Sequence, residues 1–155
     1  MNKFISISTE NYVPLSHKEE YLHNKYDLII SFIENQLDEE FSTVLAFPKI
    51  NNRDVDWFSK FKTSFKRVNE FSKTEQDKIL NDYWQRINKI KELINSLNSS
   101  KSEEKKRWAD LLEDVFNSNN NIIFSDGENI VLLWGWKFNT STENYIPKPK
   151  KTVAP

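Results

Sequence analysis

A chain of 155 residues with a formal charge of −1 and no cysteine has the length of one domain and no net field to recruit nucleic acid or an anionic membrane. Disulfide, thiolate and cysteine–metal chemistry are all closed to it. Hydrophobic residues make up only 37% of the chain, but five Trp and eleven Phe each bury a large area, so a packed core is within reach.

The opening MNKFISISTE has too short an apolar stretch for a signal peptide, and no run approaches membrane-spanning length. With the absence of Cys, this sets the expectation of a cytoplasmic protein with no membrane partner. The wealth of Lys, Asn and Ile is what an AT-rich bacterial genome favours, and the many Asn residues carry no functional weight.

Residues 3–8 alternate weakly about Ile5 and Ile7, which predicts an N-terminal edge strand. Ser16-His17-Lys18-Glu19 has the spacing of a capping box, in which hydroxyl and carboxylate satisfy free N–H groups at a helix start. A helix over about 17–37 follows, with Leu22, Tyr26, Ile29, Ile33 and Leu37 as its main stripe and Tyr21, Leu28 and Phe32 beside it.

Two short apolar runs, 41–48 and 55–58, flank Asn51-Asn52, and Asn tolerates the left-handed region that a tight turn needs. They read as a hairpin, in competition with a helix starting at Asp54. Residues 60–73 form the most basic segment: Lys60, Lys62, Lys66, Arg67 and Lys73 interleave with Phe61, Phe65, Val68 and Phe71.

Ser72-Lys73-Thr74-Glu75 is a second capping-box spacing and opens the longest predicted helix, to about residue 97. Leu80, Tyr83, Ile87, Ile90, Ile94 and Leu97 recur along it at three and four, a packing seam with Trp84 to one side. Ser100-Lys101-Ser102-Glu103 starts another helix carrying Trp108, Leu111, Leu112, Val115 and Phe116. The two should form an antiparallel hairpin. The second helix is shorter, so part of the seam near Tyr83 and Ile87 is expected to stay uncovered for a sheet, a second copy or another partner.

Residues 121–138, NIIFSDGENIVLLWGWKF, predict a hairpin around Asp126-Gly127. Its second run, 130–136, is apolar without a break and reads as a central strand containing Gly135. Residues 140–155, with Pro147, Pro149, Pro155, Lys148, Lys150 and Lys151, read as an extended or disordered tail. The fold expected is one α+β domain over 1–139. It combines a mostly antiparallel four- to five-stranded sheet, one packed helix and a long α-hairpin inserted between two β-hairpins.

Chemical signatures are sparse. Two Gly in the whole chain leave no phosphate-cradling loop. The spacing His17-x-x-Glu20-x-x-His23 is not a zinc-protease motif and offers no third ligand. Asp54 and Asp56 share a strand face, on the solvent side. The acidic run Asp38-Glu39-Glu40 reads as a solvated connection, and no activated nucleophile is marked. No catalytic residue, metal or cofactor is therefore assigned.

By elimination, the expected function is that of a non-catalytic intracellular adaptor, immunity-type protein or accessory subunit of a multiprotein complex, with a protein partner or a second copy of itself. The candidate partner-binding residues are Tyr83, Trp84, Trp134 and Trp136, because Trp and Tyr dominate interface energetics. An alternative is a nucleic-acid-binding accessory protein using Lys60, Lys62, Lys66, Arg67 and Lys73, with cations on phosphate and rings on bases. A third is an enzyme with dispersed acidic residues.

Overall fold

The computed structural model describes residues 1–10 and 12–138. The N-terminal half contains β1 (Asn2–Ser8), β2 (Val13–Pro14), β3 (Ser16–His17), β4 (Glu20–Tyr21), a 3-10 turn at Leu22–Lys25, α1 (Tyr26–Gln36), α2 (Glu39–Ser42), β5 (Phe47–Asn51) and β6 (Asp54–Ser59). There follow β7 (Lys66–Arg67), a 3-10 turn at Val68–Glu70, α3 (Lys73–Asn98), α4 (Glu103–Val115) and a 3-10 turn at Ser118–Asn120. The last strands are β8 (Ile122–Ser125), β9 (Ile130–Leu133) and β10 (Trp136–Lys137). The class is α+β, with every paired strand antiparallel to its neighbour. The tail expected over 140–155 lies outside the described residues.

The strands divide into two three-stranded sheets, β1-β6-β5 and β7-β8-β9, and two pairs, β10-β2 and β3-β4, rather than the single four- to five-stranded sheet expected. A short join links the two larger sheets. The Ala46 N–H donates to the Leu132 carbonyl (3.1 Å) and the Leu132 N–H donates to the Val44 carbonyl (2.7 Å), a one-position parallel bridge between Leu45 and Leu132. Pro48 comes two residues after Ala46 and has no N–H with which to extend that ladder.

The β5–β6 hairpin forms as expected, with Asn52 left-handed at its turn (φ 57°). Asp54 and Asp56 face outward while Val55 and Trp57 are buried, so the helix alternative at Asp54 is excluded. The expected edge strand is β1, paired with β6.

The first predicted helix is shortened by nine residues at its start. Ser16 to Glu19 do not cap it; Lys18 (φ 51°) and Glu19 (φ 69°) are both left-handed and close a two-residue turn between β3 and β4. The helix begins only at Tyr26, because residues 21–23 are drawn into an aromatic stack. The Tyr21 and His23 rings lie 5.4 Å apart, and His23 lies 4.6 Å from Trp136 at 8°. Trp136 in turn meets Trp57 edge-on at 5.6 Å. The run predicted as a strand from residue 41 begins instead as α2, capped by Asp38 accepting from the Glu40 N–H at 2.9 Å.

The long helix α3 starts at its predicted capping box: the Ser72 hydroxyl accepts from the Glu75 N–H (3.3 Å), and the Glu75 carboxylate accepts from the Ser72 N–H (3.4 Å). Its buried seam is Ile79, Tyr83, Ile87, Ile90, Ile94 and Leu97, with Ile79 in the place expected for Leu80. None of the six is more than 5% exposed, so the bare stretch expected near Tyr83 and Ile87 is covered by the chain itself. The cap of α4 is Ser102 rather than Ser100, and α3 packs against α4.

The β8–β9 hairpin matches its prediction, and Asp126 organises its turn by accepting from the N–H groups of Glu128 (2.9 Å) and Asn129 (2.6 Å). Residues 130–134 are buried on both faces. However, the strand ends at Leu133, and Gly135 (φ 86°) turns the chain so that β10 pairs with β2 instead. Gly135 is thus a hinge in direction and not a strand position. Among the described residues no helix is long and apolar enough to cross a membrane.

Both glycines have positive φ, 101° at Gly127 and 86° at Gly135, a conformation that costs an L-residue about 1–3 kcal/mol. A Cβ on Gly127 would meet only the edge of Phe71 at 4.0 Å, whereas one on Gly135 would already be in van der Waals contact with His23 at 3.5 Å, leaving no room for a larger side chain beyond it. Gly127→Ala should cost about 1–2 kcal/mol in denaturant unfolding, and Gly135→Val more, since its branched side chain adds crowding to strain. Equal losses would contradict this placement of Gly135.

Burial in the aromatic stack lowers the pKa of His23 below its ordinary 6.5. The folded pKa is the lower one, so below about pH 6.5 the unfolded chain binds more protons and stability falls. The melting temperature should therefore drop between pH 7 and pH 5, and His23→Phe, which keeps a ring in the stack, should flatten that part of the profile.

Candidate functional site

The four aromatic candidates separate into two environments. Trp134 is fully buried, donates from Nε1 to the Ala46 carbonyl at 2.8 Å and lies 6.2 Å from Tyr26. Trp136 is the inner ring of the His23 stack, and Tyr83 is 0% exposed. These three are interior side chains and present nothing to a partner, which corrects their assignment as partner-binding residues. Trp84 differs: it is half-buried, one position off the α3 seam, with its ring edge-on to Tyr83 at 5.0 Å.

Trp84 forms one end of a groove of about 360 Å³ between α3 and the chain leaving α4. Ile87, Ile90, Ile94 and Phe116 make its apolar floor, and Lys91, Asn95, Glu113, Asn117 and Ser118 make its rim. The floor exists because the α3 seam residues at three- and four-residue spacing meet Phe116 at the helix end. Lys91 places its ammonium 5.4 Å from the centroid of the Trp84 ring, a cation–π contact that braces the indole. Glu113 accepts from the Asn98 amide at 3.4 Å. The groove therefore offers one large amphipathic ring, a narrow aliphatic floor and a rim whose amides and hydroxyl both donate and accept.

Tyr83 underlies this end of α3, and its hydroxyl is buried without a hydrogen-bond partner among the described residues. Burial pushes its phenol well above the ordinary value, so the group is neutral and unused. Tyr83→Phe should leave stability unchanged or raise it by up to about 1 kcal/mol, because an unsatisfied buried hydroxyl is removed. A clear loss in melting temperature would mean that the hydroxyl holds a structural bond.

The basic candidates occupy different settings. Lys60 is ion-paired to Glu39 at 2.9 Å, and Lys73 lies 3.5 Å from Asp77. Lys66 sits 4.5 Å over the Phe71 ring, and Arg67 lies 5.8 Å from that of Phe124. Lys62 is exposed. The aromatic residues of the segment are committed too: Phe65 and Phe71 are each only 9% exposed, and Phe61 stacks on Phe65 at 6.0 Å. Phe65 and Phe71, held in the core, cannot stack on bases, and of the three rings Phe61 keeps a partly exposed face, so the segment offers a nucleic acid chiefly phosphate neutralisation.

Lys60 instead borders a second cleft of about 480 Å³, with Glu39, Glu40, Thr43, Phe61, Arg86, Asn129 and Ile130. Arg86 is held there by contacts from all three of its guanidinium nitrogens. Its Nε donates to Asp82 (3.1 Å), Nη1 to the Glu40 carbonyl (3.1 Å), and Nη2 lies 3.1 Å from the Glu40 carboxylate. Glu39 is held below the usual carboxylate range by the hydrogen bond and charge of Lys60. These pairs tie α2 to α3 and to the end of β6.

The histidines are parted: His17 lies 3.6 Å from Asp114, Glu20 pairs with Lys25 at 3.3 Å, and His23 is stacked under Trp136. Among the described residues no three His, Asp or Glu side chains converge as metal ligands.

The sequence reading missed Phe116, Lys91 and Glu113 as neighbours of Trp84. The one local sign was the spacing of seven between Trp84 and Lys91, two helical turns on one face. No protein-family model, curated protein or solved structure matches the chain at a significant level.

Proposed function

We propose that the chain is a non-catalytic protein-binding module, of the adaptor, immunity-type or accessory-subunit kind, which seats a segment of a partner protein in the groove between α3 and the end of α4. The observation that carries this reading is Trp84, half-buried at the end of an aliphatic floor, braced by Lys91 and followed along the rim by Asn95, Glu113, Asn117 and Ser118. Trp is the residue most enriched at interface hot spots, and partly desolvated sites of this kind contribute most of the binding energy. Asn95, Asn117 and Ser118 can satisfy the main-chain groups of an extended peptide that packs an apolar side chain against the half-buried Trp84 and the small exposed edges of Ile94 and Phe116. A volume of about 360 Å³ suits that load.

The experiment compares the full chain with Trp84→Ala as bait in a native lysate, followed by calorimetric titration of the captured partner in purified form. Truncating a hot-spot Trp costs 2 kcal/mol or more, so affinity should fall by about 30-fold or more. The circular dichroism spectrum should not change. Lys62→Ala with Lys66→Ala should bind as wild type. If the lysine pair loses binding while Trp84→Ala keeps it, the surface is elsewhere and the nucleic-acid reading gains.

A further inference from the structure

We propose that the outer edge of β1 pairs with the same edge of a second copy of the chain, joining two β1-β6-β5 sheets into one antiparallel sheet of six strands about a two-fold axis at Ile7. Within its sheet β1 is an outer strand, paired with β6 alone. The Thr9 N–H donates to the Arg53 carbonyl at 2.8 Å, in phase with Ile7 opposite Val55 and Ile5 opposite Trp57. Backbone bonding alternates along an antiparallel strand. Ile5, Ile7 and Thr9 therefore direct their backbone groups at β6, and the N–H and C=O of Ser6 and Ser8 point away from the sheet. Both serines are exposed, and among the described residues no backbone bond meets them on that side.

The opposite outer strand, β5, is guarded. Asn51 and Asp54 close its two-residue turn to β6 as a bonded pair, so the outward positions of β5 are Pro48 and Ile50. Proline has no N–H to offer a further strand. β1 carries no such guard from Ile5 to Thr9, and the irregularity between Lys3 and Ile5 confines the open edge to that stretch.

A second β1, antiparallel and with Ile7 opposite Ile7, satisfies that edge from within itself. Ser6 then faces Ser8 of the second copy, and Ser8 its Ser6, so the outward N–H and C=O groups exchange backbone bonds on both sides of the axis. The side chains match as well. Ile7 stands in one row with Val55 and Ile50, and the axis extends that row across all six strands as an unbroken aliphatic line. On the other face Ser6 lies beside Asp56 and Ser8 beside Asp54, and the join sets serine against serine, so no like charges stand directly opposite one another. A slip of one residue would set Ile7 against serine and put the backbone groups out of phase, which fixes the register. The surface is separate from the groove at Trp84 and acts independently of what the groove holds.

Ser6→Pro removes an outward N–H and leaves the β6 ladder whole, because Ser6 gives β6 no backbone bond; proline is tolerated at such edge positions. In sedimentation across a concentration series the full chain should pass from monomer to dimer, and Ser6→Pro should stay monomeric with an unchanged circular dichroism spectrum. Trp84→Ala should dimerise as wild type. The chain has no cysteine, so Ile7→Cys can form only an intermolecular disulfide. Directly opposed residues of a non-hydrogen-bonded pair lie about 4.5 Å apart at Cα, within disulfide reach. Under mild oxidation Ile7→Cys should cross-link roughly tenfold faster or more than Lys49→Cys on the far edge. A mass that stays monomeric up to about 1 mM overturns the proposal, as does dimerisation that survives Ser6→Pro. Dimerisation lost in Trp84→Ala also overturns it and makes the groove the self-contact. If Ser6→Pro unfolds the chain, the cysteine pair decides, and equal cross-linking of the two variants overturns the proposal.

Discussion

The structure depends on what happens between residues 44–46 and β9. Leu132 exchanges two backbone hydrogen bonds with Val44 and Ala46, and the indole of Trp134 reaches the Ala46 carbonyl from the next turn of the chain. All the groups involved are buried, where an unmade hydrogen bond costs far more than a made one contributes. The three bonds therefore stand or fall together. They join two sheets that share no ladder among the described residues, and they determine where β9 ends. Beyond that end, Gly135 can redirect the chain into β10 under the His23 stack.

The groove is a consequence of this arrangement and of an insertion. β7 and β8 are hydrogen-bonded neighbours, yet α3 and α4 both lie between them in sequence, so the helical segment must leave the sheet and return to it. The return is held by Asn121, whose amide donates to the Val115 carbonyl (2.9 Å) at the end of α4 and to the Leu133 carbonyl (3.4 Å) at the end of β9. That clamp fixes the exit of α4, and with it Phe116, Asn117 and Ser118, against the α3 seam. The site lies where two helices must diverge so that one can rejoin the sheet, and the wedge between them is not filled by β-structure.

Much of this was legible where a local signal had only one structural use. Ser72 and Glu75 before an uninterrupted helical seam could only start a helix, and Asp126-Gly127 between two β-branched runs could only turn a hairpin. The same four-residue spacing at Ser16–Glu19 was ambiguous, because polar residues that cap a helix also tolerate the left-handed turn found there. The deciding interaction, His23 on Trp136, connects residues 113 positions apart in sequence, which periodicity cannot reveal. The Trp residues posed the same difficulty. Trp134 lies in an unbroken apolar run and Trp84 among Asp82, Gln85 and Arg86, but the Ala46 carbonyl that holds the Trp134 indole inside is 88 positions away.

Charge placement also separates the two binding readings. The basic segment looks like a phosphate-binding stripe in sequence because Lys and Phe alternate in it, but alternation is also how a half-buried connection places rings inward and cations outward. The burial of Phe65 and Phe71, the ion pairs of Lys60 and Lys73 and the ring contact of Lys66 follow from the second cause. To bind nucleic acid, Lys60 would have to leave Glu39. That exposed pair is itself worth little, so the larger obstacle is geometric, since the ring beside it in the cleft, Phe61, is partly buried and stacked on Phe65. At the groove the balance is reversed. Among the described residues its lining holds one cation, Lys91, drawn onto the Trp84 ring, and one carboxylate, Glu113, met by an amide, and the rest is apolar or uncharged. A ligand there gains chiefly from desolvation and main-chain hydrogen bonds, a mode of recognition that screening by salt barely touches.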